Sequence, residues 1–300
     1  MNGDRPLQFH WRVTETPVAE QLQLAFAADC EGKTWLRHQR VAYPYHVGRC
    51  LELSGDPHGM ATVYVQCCSG GLFEHDDVRG SIDCGSGAKA HVTTSAATVV
   101  HDMPSGGARQ AVEIWLGTDA LLEYLPDATI LFPGARLENR MNVHLGDRAV
   151  ALIWDTVLMH APDRLKPRSN AAEPKGPARC LKTELKVSSA SGMLACDRWI
   201  LAGKLGSRLT PGILEAYACQ GSFLVLAQAR PEISSLIERI RTECDGLNTC
   251  YFGVTALPND CGLIVRVLAE EATEIKKVLN KAWRCARLAL VSAEAVERRK

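Results

Sequence analysis

The sequence predicts a mainly β fold of stacked or sandwiched sheets, with about two α-helices near the C-terminus. Short segments that alternate apolar and polar residues follow one another through the first half of the chain. Turn-forming sequences such as "SGDPHG", "CGSG" and "PSGG" separate these segments at close spacing. Near the C-terminus, two longer segments instead repeat their apolar residues at helical spacing. Many short strands joined by tight turns are typical of an all-β body.

Residues 20–160 are predicted to form a β-rich body. Its strand candidates are "QLQLAFAA", "ATVYVQC", "KAHVTTSAATVV", "QAVEIWL" and "RMNVHL", in that order. We see no repeat of fixed length, so neither a propeller nor a regular β-solenoid is predicted.

Residues 162–178 hold four prolines and little that could enter a core, which predicts an exposed loop. Residues 179–300 are predicted to add a second strand set with C-terminal helices, so that 1–300 forms a single domain. The strands of this part are "RCLKTELKVS", "RWILAGKL", "SFLVLAQA" and a hairpin of "CYFGVTAL" with "GLIVRVLA" around "PND". The helices are "PEISSLIERIRTEC" and "EEATEIKKVLNKAWRCARLAL", each with one apolar face that is expected to pack on the core.

Composition excludes several classes of function. The chain has 34 basic and 34 acidic residues, and this balance gives no electrostatic footprint for nucleic acid. Apolar runs such as "AVALIW" are too short to cross a membrane, and "MNGDRPLQFHW" lacks the apolar core of a signal peptide. We therefore expect a cytoplasmic protein that contacts neither nucleic acid nor membrane.

Cysteine and histidine are frequent but form no compact ligand motif. None of the twelve cysteines forms a C-x-x-C pair, so a structural zinc site is not predicted and most are expected to be small buried residues. The nine histidines all lie at or before residue 160, without an H-x-H or H-E-x-x-H motif. Neither a G-x-S-x-G nucleophile motif nor the fingerprint of a dinucleotide fold is present.

The segment "CCSGGLFEHDD" is the most promising place for chemistry. Strand alternation points Cys67 and Cys68 in opposite directions, and Gly70 and Gly71 are predicted to form a turn rather than a phosphate loop. The following Glu74, His75, Asp76 and Asp77 offer ligands suited to Ni²⁺, Zn²⁺ or Mn²⁺. From composition alone, a solvated acidic loop is the better interpretation, because short acidic loops are common.

Residues 60–155 resemble the family of the urease accessory protein UreD, also called UreH. The family pattern of a strand, a Gly-Gly turn with an Asp, a "G-x-G-A" turn and "TTPAAT" corresponds here to "VYVQCCSGGLFEHDD" and "GSGAKAHVTTSAAT". The family's "ALEWLPQETILFDGARA" corresponds to "ALLEYLPDATILFPGARL", and its later Trp-Glu corresponds to "ALIWD". Order and spacing agree over nearly a hundred residues.

The resemblance implies a multi-layered β fold and a non-catalytic role in building the nickel centre of urease. It implies a scaffold that binds the urease apoprotein, a UreF-like helical accessory protein and, through it, a UreG-like GTPase. It also implies that nickel passes in transit through an interior, water-filled passage, and that no cofactor is tightly bound. Carboxylates and imidazoles that bind nickel weakly suit such a passage.

The match with the family selects the candidate metal contacts. Asp76 falls on the family's Asp after the turn, while Glu74 and His75 replace its second glycine pair. Asp127 stands where the family has Gln, and Ala128 replaces the neighbouring Glu. Asp76 is therefore the first candidate for a transient nickel contact, followed by His75, Glu74 and Asp127. The family's "G-R-x-x-x-G-E" segment and its usual C-terminal Arg-x-Trp are both missing from this chain.

Two alternatives remain open at the level of sequence. Besides the maturation factor with a nickel passage, the chain could be a β-sandwich metal-dependent enzyme that uses His75, Asp76 and a further histidine from the first half, or a metal-free interaction scaffold. Tight, stoichiometric metal binding would favour the enzyme, whereas weak or variable binding would favour a conduit.

Overall fold

The structure is a computed structural model that describes residues 19–160, 179–203 and 217–295. The predicted exposed loop 162–178 lies outside the described residues. Within them the chain is mainly β with two helices, as the sequence predicts. No helix in this part of the chain is long and apolar enough to span a membrane.

Two large sheets form the body. Sheet A has seven strands in the spatial order β14-β13-β11-β8-β5-β1-β2. Its strands are β1 (Leu22–Ala28), β2 (Thr34–Val41), β5 (Asp77–Cys84), β8 (Ala108–Leu116), β11 (Arg136–Leu145), β13 (Arg179–Ser189) and β14 (Gly192–Gly203).

Sheet B has ten strands, eight of them in the order β16-β17-β15-β12-β9-β6-β4-β3. These strands are β3 (Tyr45–Val47), β4 (Ala61–Cys67), β6 (Lys89–Thr94), β9 (Leu121–Tyr124), β12 (Val150–Met159), β15 (Cys219–Leu226), β16 (Cys250–Ala256) and β17 (Gly262–Ala269). Two short strands, β7 (Thr98–Val100) and β10 (Thr129–Leu131), pair parallel with each other, and β10 also pairs with the end of β12.

From β4 to β13 the chain coils by crossing repeatedly between the sheets. Sheet B contains the parallel ladder β4, β6, β9 and β12, and sheet A contains the parallel ladder β5, β8, β11 and β13. Stacked sheets were predicted, but this coil was not, because its turns differ in length and leave no fixed repeat in the sequence. The segment "KAHVTTSAATVV" likewise forms two strands, since the chain turns a corner at residues 95–97.

One apolar core fills the space between the two sheets. Ile82 and Ile114 of sheet A face Val63 and Val92 of sheet B, and all four are buried. Sheet A alternates buried and partly exposed residues along β5, whereas β15 of sheet B is buried at nearly every position. Sheet B is the middle layer, covered on its other face by helices, which is how sheets with parallel strands are usually protected.

Two helices form the third layer. Helix α1 (Glu232–Cys244) buries Ile233, Leu236, Ile237 and Ile240, the residues predicted from its spacing. Helix α2 (Ala272–Val291) buries its predicted face, including Ile275, Leu279 and Trp283. Strands β16 and β17 form the predicted hairpin, joined by a one-turn 3₁₀ helix at Pro258–Asp260.

The expectation that most cysteines are buried is wrong. Only Cys84, Cys219, Cys244, Cys261 and Cys285 are buried, and the other seven of the twelve are partly or fully exposed. Cys196 is exposed within β14, where the alternation of side chains between the two faces of the sheet decides exposure. Cys30 and Cys68 are exposed and lie outside the strands.

Candidate functional site: a polar cavity between the sheets

A polar cavity lies between sheets A and B, within the otherwise apolar space that they enclose. Its lining residues include five with polar side chains: Tyr45, Gln110, Tyr124, Asp127 and Asp155. Its volume is about 70 Å³, and one water molecule needs about 10–15 Å³ of such space. The cavity therefore has room for several water molecules or for a small hydrated ion.

Strand alternation brings these polar side chains to the cavity. Gln110 lies two residues before Val112 on β8, and both line the cavity, as residues of one strand face must. Tyr124 is the last residue of β9, and Asp155 lies in the middle of β12, opposite Ser222 of β15. The coil of the chain, rather than any short motif, assembles this set from five separate strands and loops.

Asp155 is the most perturbed acid of the cavity. Burial, reinforced by the nearby negative charge of Asp197, raises the pKa of Asp155 to about 6. The carboxyl group is therefore ionised at neutral pH but close to its titration range. Such a group attracts a cation when charged and loses that attraction on protonation.

The two tyrosines supply neutral oxygen atoms. Burial raises the pKa of Tyr45 to about 12 and raises the pKa of Tyr124 further still. Both phenols are thus protonated under physiological conditions and offer hydroxyl groups rather than charges. The cavity presents oxygen donors with two carboxylates, a set that suits divalent cations held loosely.

Asp127 is the only one of the four predicted metal contacts that lines this cavity. Its backbone N–H donates a hydrogen bond of 2.7 Å to the hydroxyl of Thr94, which fixes the segment that follows β9. The role of Asp127 toward nickel stays a prediction.

Glu74 lies at the outer corner of the coil and acts as a clasp, by which we mean that its carboxylate joins two turns of the coil through hydrogen bonds. Its Oε1 atom accepts hydrogen bonds from the backbone N–H and the hydroxyl of Ser105, at 2.7 and 3.0 Å, and from the N–H of Gly106. These bonds, that from Gly106 above all, lower the pKa of Glu74. Its carboxylate therefore holds the neighbouring turn in place.

His75 and Asp76 belong to the same corner. His75 has a backbone φ of 70°, a left-handed conformation that glycine adopts more readily than other residues. Asp76 accepts a hydrogen bond of 2.8 Å from the N–H of Phe73, so it closes the turn. Both residues line a surface groove with Arg109 and Arg136, distinct from the interior cavity.

Gly70 and Gly71 form the turn that the sequence predicts. Their φ angles are 77° and 136°, values that favour glycine. A β-carbon on Gly71 would lie 2.3 Å from the carbonyl oxygen of Val99, so only glycine lets the turn approach β7 so closely.

The predicted metal contacts are therefore divided between two places. Glu74, His75 and Asp76 surround an outer corner, and Asp127 faces the cavity. Among the described residues, no three His, Cys, Asp or Glu side chains are placed to hold one metal ion together.

Sequence reasoning missed Asp155, Tyr45 and Tyr124 as lining residues. A signal was available for Asp155, because it ends the apolar run "AVALIW", where a charged residue must either leave the core or find polar surroundings. It also missed Glu123, which lies fully buried in the run "LLEYL".

A serine–histidine–glutamate constellation lies on the outer face of sheet A. His144 Nδ1 lies 2.8 Å from the hydroxyl of Ser188, and His144 Nε2 lies 3.4 Å from the carboxylate of Glu113. Trp115 stacks on the imidazole, with ring centroids 5.4 Å apart. The group lies on three neighbouring strands and is partly exposed to solvent, with 44% of the His144 side chain and 32% of the Glu113 side chain accessible.

Comparison with known proteins identifies a matching family and several relatives that are similar over most of their length. The family model described as "UreD urease accessory protein" matches residues 19–300. The chain is 39% identical over 278 residues to "Urease accessory protein UreD 1" of Pseudomonas syringae pv. syringae, covering 92% of this chain and 94% of that protein. It is 38% identical to the protein of the same name from P. syringae pv. tomato, with the same coverage. It is also 30% identical over 281 residues to "Urease accessory protein UreD" of Haloarcula marismortui, covering 93% and 89% of the two chains.

Proposed function

Because this chain belongs to the UreD urease accessory protein family, we propose that it matures urease by holding the apoprotein and passing nickel through the polar cavity between its sheets. The family supports a role in urease maturation and points to a non-catalytic factor. The proposal adds the route of the metal and the direct contact with the urease apoprotein.

The observation that carries the proposal is the cavity between the two sheets, whose lining residues include the two aspartates Asp127 and Asp155. Burial raises the pKa of Asp155, which means that its charged form costs free energy in the folded protein, because a buried charge loses its hydration. Groups perturbed in this way cluster at functional sites. Two carboxylates and several hydroxyl groups offer Ni²⁺ oxygen donors, to which it binds less strongly than to nitrogen or sulfur donors. Nickel is the cargo in this scheme, and it leaves with the enzyme that receives it.

The partners of the proposal are the urease apoprotein, a UreF-like helical accessory protein and, through that protein, a UreG-like GTPase. A pull-down with tagged protein should recover apo-urease and the UreF-like protein together. Deletion of the gene should lower the nickel content of urease. No complex with either protein and unchanged nickel content would refute the proposal.

Substitutions in the cavity test the metal route separately from the contacts with partners. Asp155→Ala and Asp127→Ala should each lower urease activation while the pull-down stays intact, and the double variant should lower it further. Asp83→Ala is the matched control, because Asp83 is an aspartate on the outer face of β5 that pairs with Arg37. Unchanged activation with the double variant would favour a scaffold without metal handling.

Equilibrium dialysis separates the conduit from the metal-dependent enzyme. A conduit should bind Ni²⁺ weakly, with loss of binding in Asp155→Ala. One equivalent of tightly bound Ni²⁺ or Zn²⁺ that survives this substitution and depends on His75 and Asp76 would favour the enzyme instead.

A further inference from the structure

A thiol belongs to the lining of the polar cavity. Cys67 is the last residue of β4 and lies opposite Tyr45 of β3 in their antiparallel pairing, and both residues line the cavity. Cys68, the next residue, is exposed to solvent, as expected where neighbouring side chains of an extended chain point in opposite directions. The lining therefore combines one thiol with the oxygen donors of residues such as Asp155.

Hydrogen bonding determines how the thiol of Cys67 is oriented. Its Sγ atom lies 3.1 Å from the hydroxyl oxygen of Ser69. That hydroxyl donates a hydrogen bond of 2.5 Å to the carbonyl oxygen of Gly71, and a serine hydroxyl has only one proton to donate. The S–H group of Cys67 is therefore the donor in its contact with Ser69. The sulfur uses its proton, and not its lone pairs, in this contact.

A second side chain points independently to a ligand in the same cavity. Tyr124 lines the cavity, and its hydroxyl has no hydrogen-bond partner among the residues that the structure describes. Burial, and after it the nearby acidic groups of Tyr45 and Asp155, raise the pKa of Tyr124. The hydroxyl thus lies away from bulk solvent and close to two other lining residues. A buried polar group in this position is normally satisfied by a bound water molecule or ion.

Oxygen donors alone would not make the cavity selective for nickel. Carboxylates, hydroxyl groups and water also suit Mg²⁺, Ca²⁺ and Mn²⁺. Mg²⁺ in particular binds through one or two carboxylates while it keeps several of its waters. A thiolate is a soft ligand, which transition-metal ions such as Ni²⁺ and Zn²⁺ accept far more readily than Mg²⁺ does. A sulfur donor in the lining therefore supplies the selectivity that the oxygen donors lack.

We propose that Cys67 determines the metal specificity of the cavity, and that its ligand is a thiophilic divalent cation such as Ni²⁺. This inference rests on the proposed function, because selectivity matters only if the cavity carries metal. When the ion binds, the S–H bond of Cys67 breaks, a sulfur–metal bond forms, one water leaves the ion and the thiol proton passes to water.

A single sulfur ligand also lets the ion move on. Among the described residues, no three His, Cys, Asp or Glu side chains are placed to hold one metal ion together. An ion at Cys67 therefore keeps most of its waters, whereas tight sites for such metals surround the ion with three or four protein ligands. Cys67 thus gives preference for a thiophilic ion without trapping it.

Alkylation of thiols in the wild-type full chain tests the contact directly. Fragmentation of the labelled peptide in a mass spectrometer separates Cys67 from its neighbour Cys68. Ni²⁺ should slow the alkylation of Cys67 severalfold and leave that of Cys68 unchanged, while a large excess of Mg²⁺ should change neither. Equal protection of the two cysteines, or no protection of Cys67, would overturn the proposal. Because this measurement needs no variant, poor folding of a variant cannot obscure it.

Equilibrium dialysis with Ni²⁺ and with Mg²⁺ tests the specificity. Cys67→Ser should weaken Ni²⁺ binding by about tenfold or more, because even residues that only support a metal ligand contribute that much. The same substitution should leave Mg²⁺ binding unchanged. Cys68→Ser is the matched control and should keep the wild-type affinity for both ions. Equal Ni²⁺ affinity in Cys67→Ser and Cys68→Ser would contradict the assignment.

This inference and the proposed function can fail separately. If Asp155→Ala and Asp127→Ala lower urease activation, but Ni²⁺ neither protects Cys67 nor depends on it, the cavity conducts nickel through oxygen donors and the role of Cys67 is wrong. If Ni²⁺ protects Cys67 and binds more weakly to Cys67→Ser, but the two aspartate variants activate urease normally, Cys67 is a metal contact and the proposed route to urease is wrong.

Discussion

Single residues show how chemistry and stability oppose each other in this protein. Asp155 occupies a place where its charged form is disfavoured, since burial raises its pKa to about 6. An acid with a raised pKa in the folded state makes the protein less stable as pH rises from the unfolded value to the folded value. The protein therefore keeps a destabilising carboxylate in its interior, as functional sites often do.

Asp155→Asn should stabilise the protein at pH 7 and impair its function. The amide cannot ionise, so the penalty disappears, and the free energy of unfolding should rise by about 1–3 kcal/mol. Urea unfolding at pH 4 and pH 7 measures this, because the gain should be present at pH 7 and small at pH 4. A variant that is less stable than wild type at pH 7 would show that the carboxylate is satisfied in the folded protein.

Glu74→Ala should release the turn at residues 103–107. The amides of Ser105 and Gly106 both donate to this carboxylate, so their hydrogen exchange should accelerate while exchange in β5 stays unchanged. Glu52→Ala serves as a control, since Glu52 pairs only with the exposed Lys33 among the contacts described. Equal exchange of Ser105 and Gly106 in Glu74→Ala and wild type would contradict the role of a clasp.

At this scale the sequence predicted some positions and missed others for clear reasons. The turn at Gly70 and Gly71 was predictable because its conformation favours glycine. The sequence also predicted Glu74 as a metal ligand. It does not show that the N–H groups of Ser105 and Gly106, some thirty residues away, donate hydrogen bonds to that carboxylate. Asp155 was missed because its significance depends on neighbours from other strands.

Elements pack closely where small residues allow it. Strand β15 passes under α2 at Gly221, where an added β-carbon would lie 2.5 Å from Ile275 Cγ2 and 3.0 Å from Val267 Cγ1. Glycine here sets the distance between the helix layer and sheet B.

Gly221→Ala should therefore lower stability by about 1–3 kcal/mol, the usual cost of overpacking a core. Gly253→Ala in β16 is the matched control, because an added β-carbon there meets no atom within 4 Å. Urea unfolding of both variants gives the comparison. Similar midpoints for the two variants would show that α2 can shift without cost.

The two helices were the most predictable elements, since each follows a single period of apolar residues. Strand boundaries were harder, because a corner such as residues 95–97 interrupts the pairing without changing the apolar–polar alternation. The burial of Arg287 in α2 could not be predicted from the helical pattern, because a long charged side chain at the edge of an apolar helix face is expected to reach solvent. Arg287 is instead completely buried, because Glu123 and Asp56 meet it from other parts of the chain.

The whole molecule is a coil of parallel strands closed by a helix layer. The strands in the middle of the coil are paired on both sides, whereas β2 and β14 end sheet A and β3 and β16 end the main path of sheet B. Local stability should follow this order, because a central strand opens only when its neighbours do.

Hydrogen exchange followed by mass spectrometry should therefore be slowest in β8 and β9 and faster in β2 and β16. Strand β16 has exposed residues at four of its seven positions, and the exposed fraction of Tyr251 is 69%. Uniform protection across both sheets would mean that the molecule opens only as a whole.

The fold class was predictable from alternation and turns, but the coil was not. Its ladders join strands some thirty residues apart, as in the pairing of β5 with β8 and of β8 with β11. Neither pairing leaves a local signal, because the register is set by contacts between side chains that are distant in sequence. The polar cavity depends on this coil and was unpredictable for the same reason.

The coil also has a consequence for how such a chain can change over generations. Each corner lies directly above the corner of the preceding turn, as Leu72 lies beside Val100 and Val100 beside Leu131. A side chain that is changed at one corner therefore contacts first the corner residues of the adjacent turns. Positions about thirty residues apart should accordingly vary together among relatives, and the spacing of that covariation should reveal the turns of the coil from sequences alone.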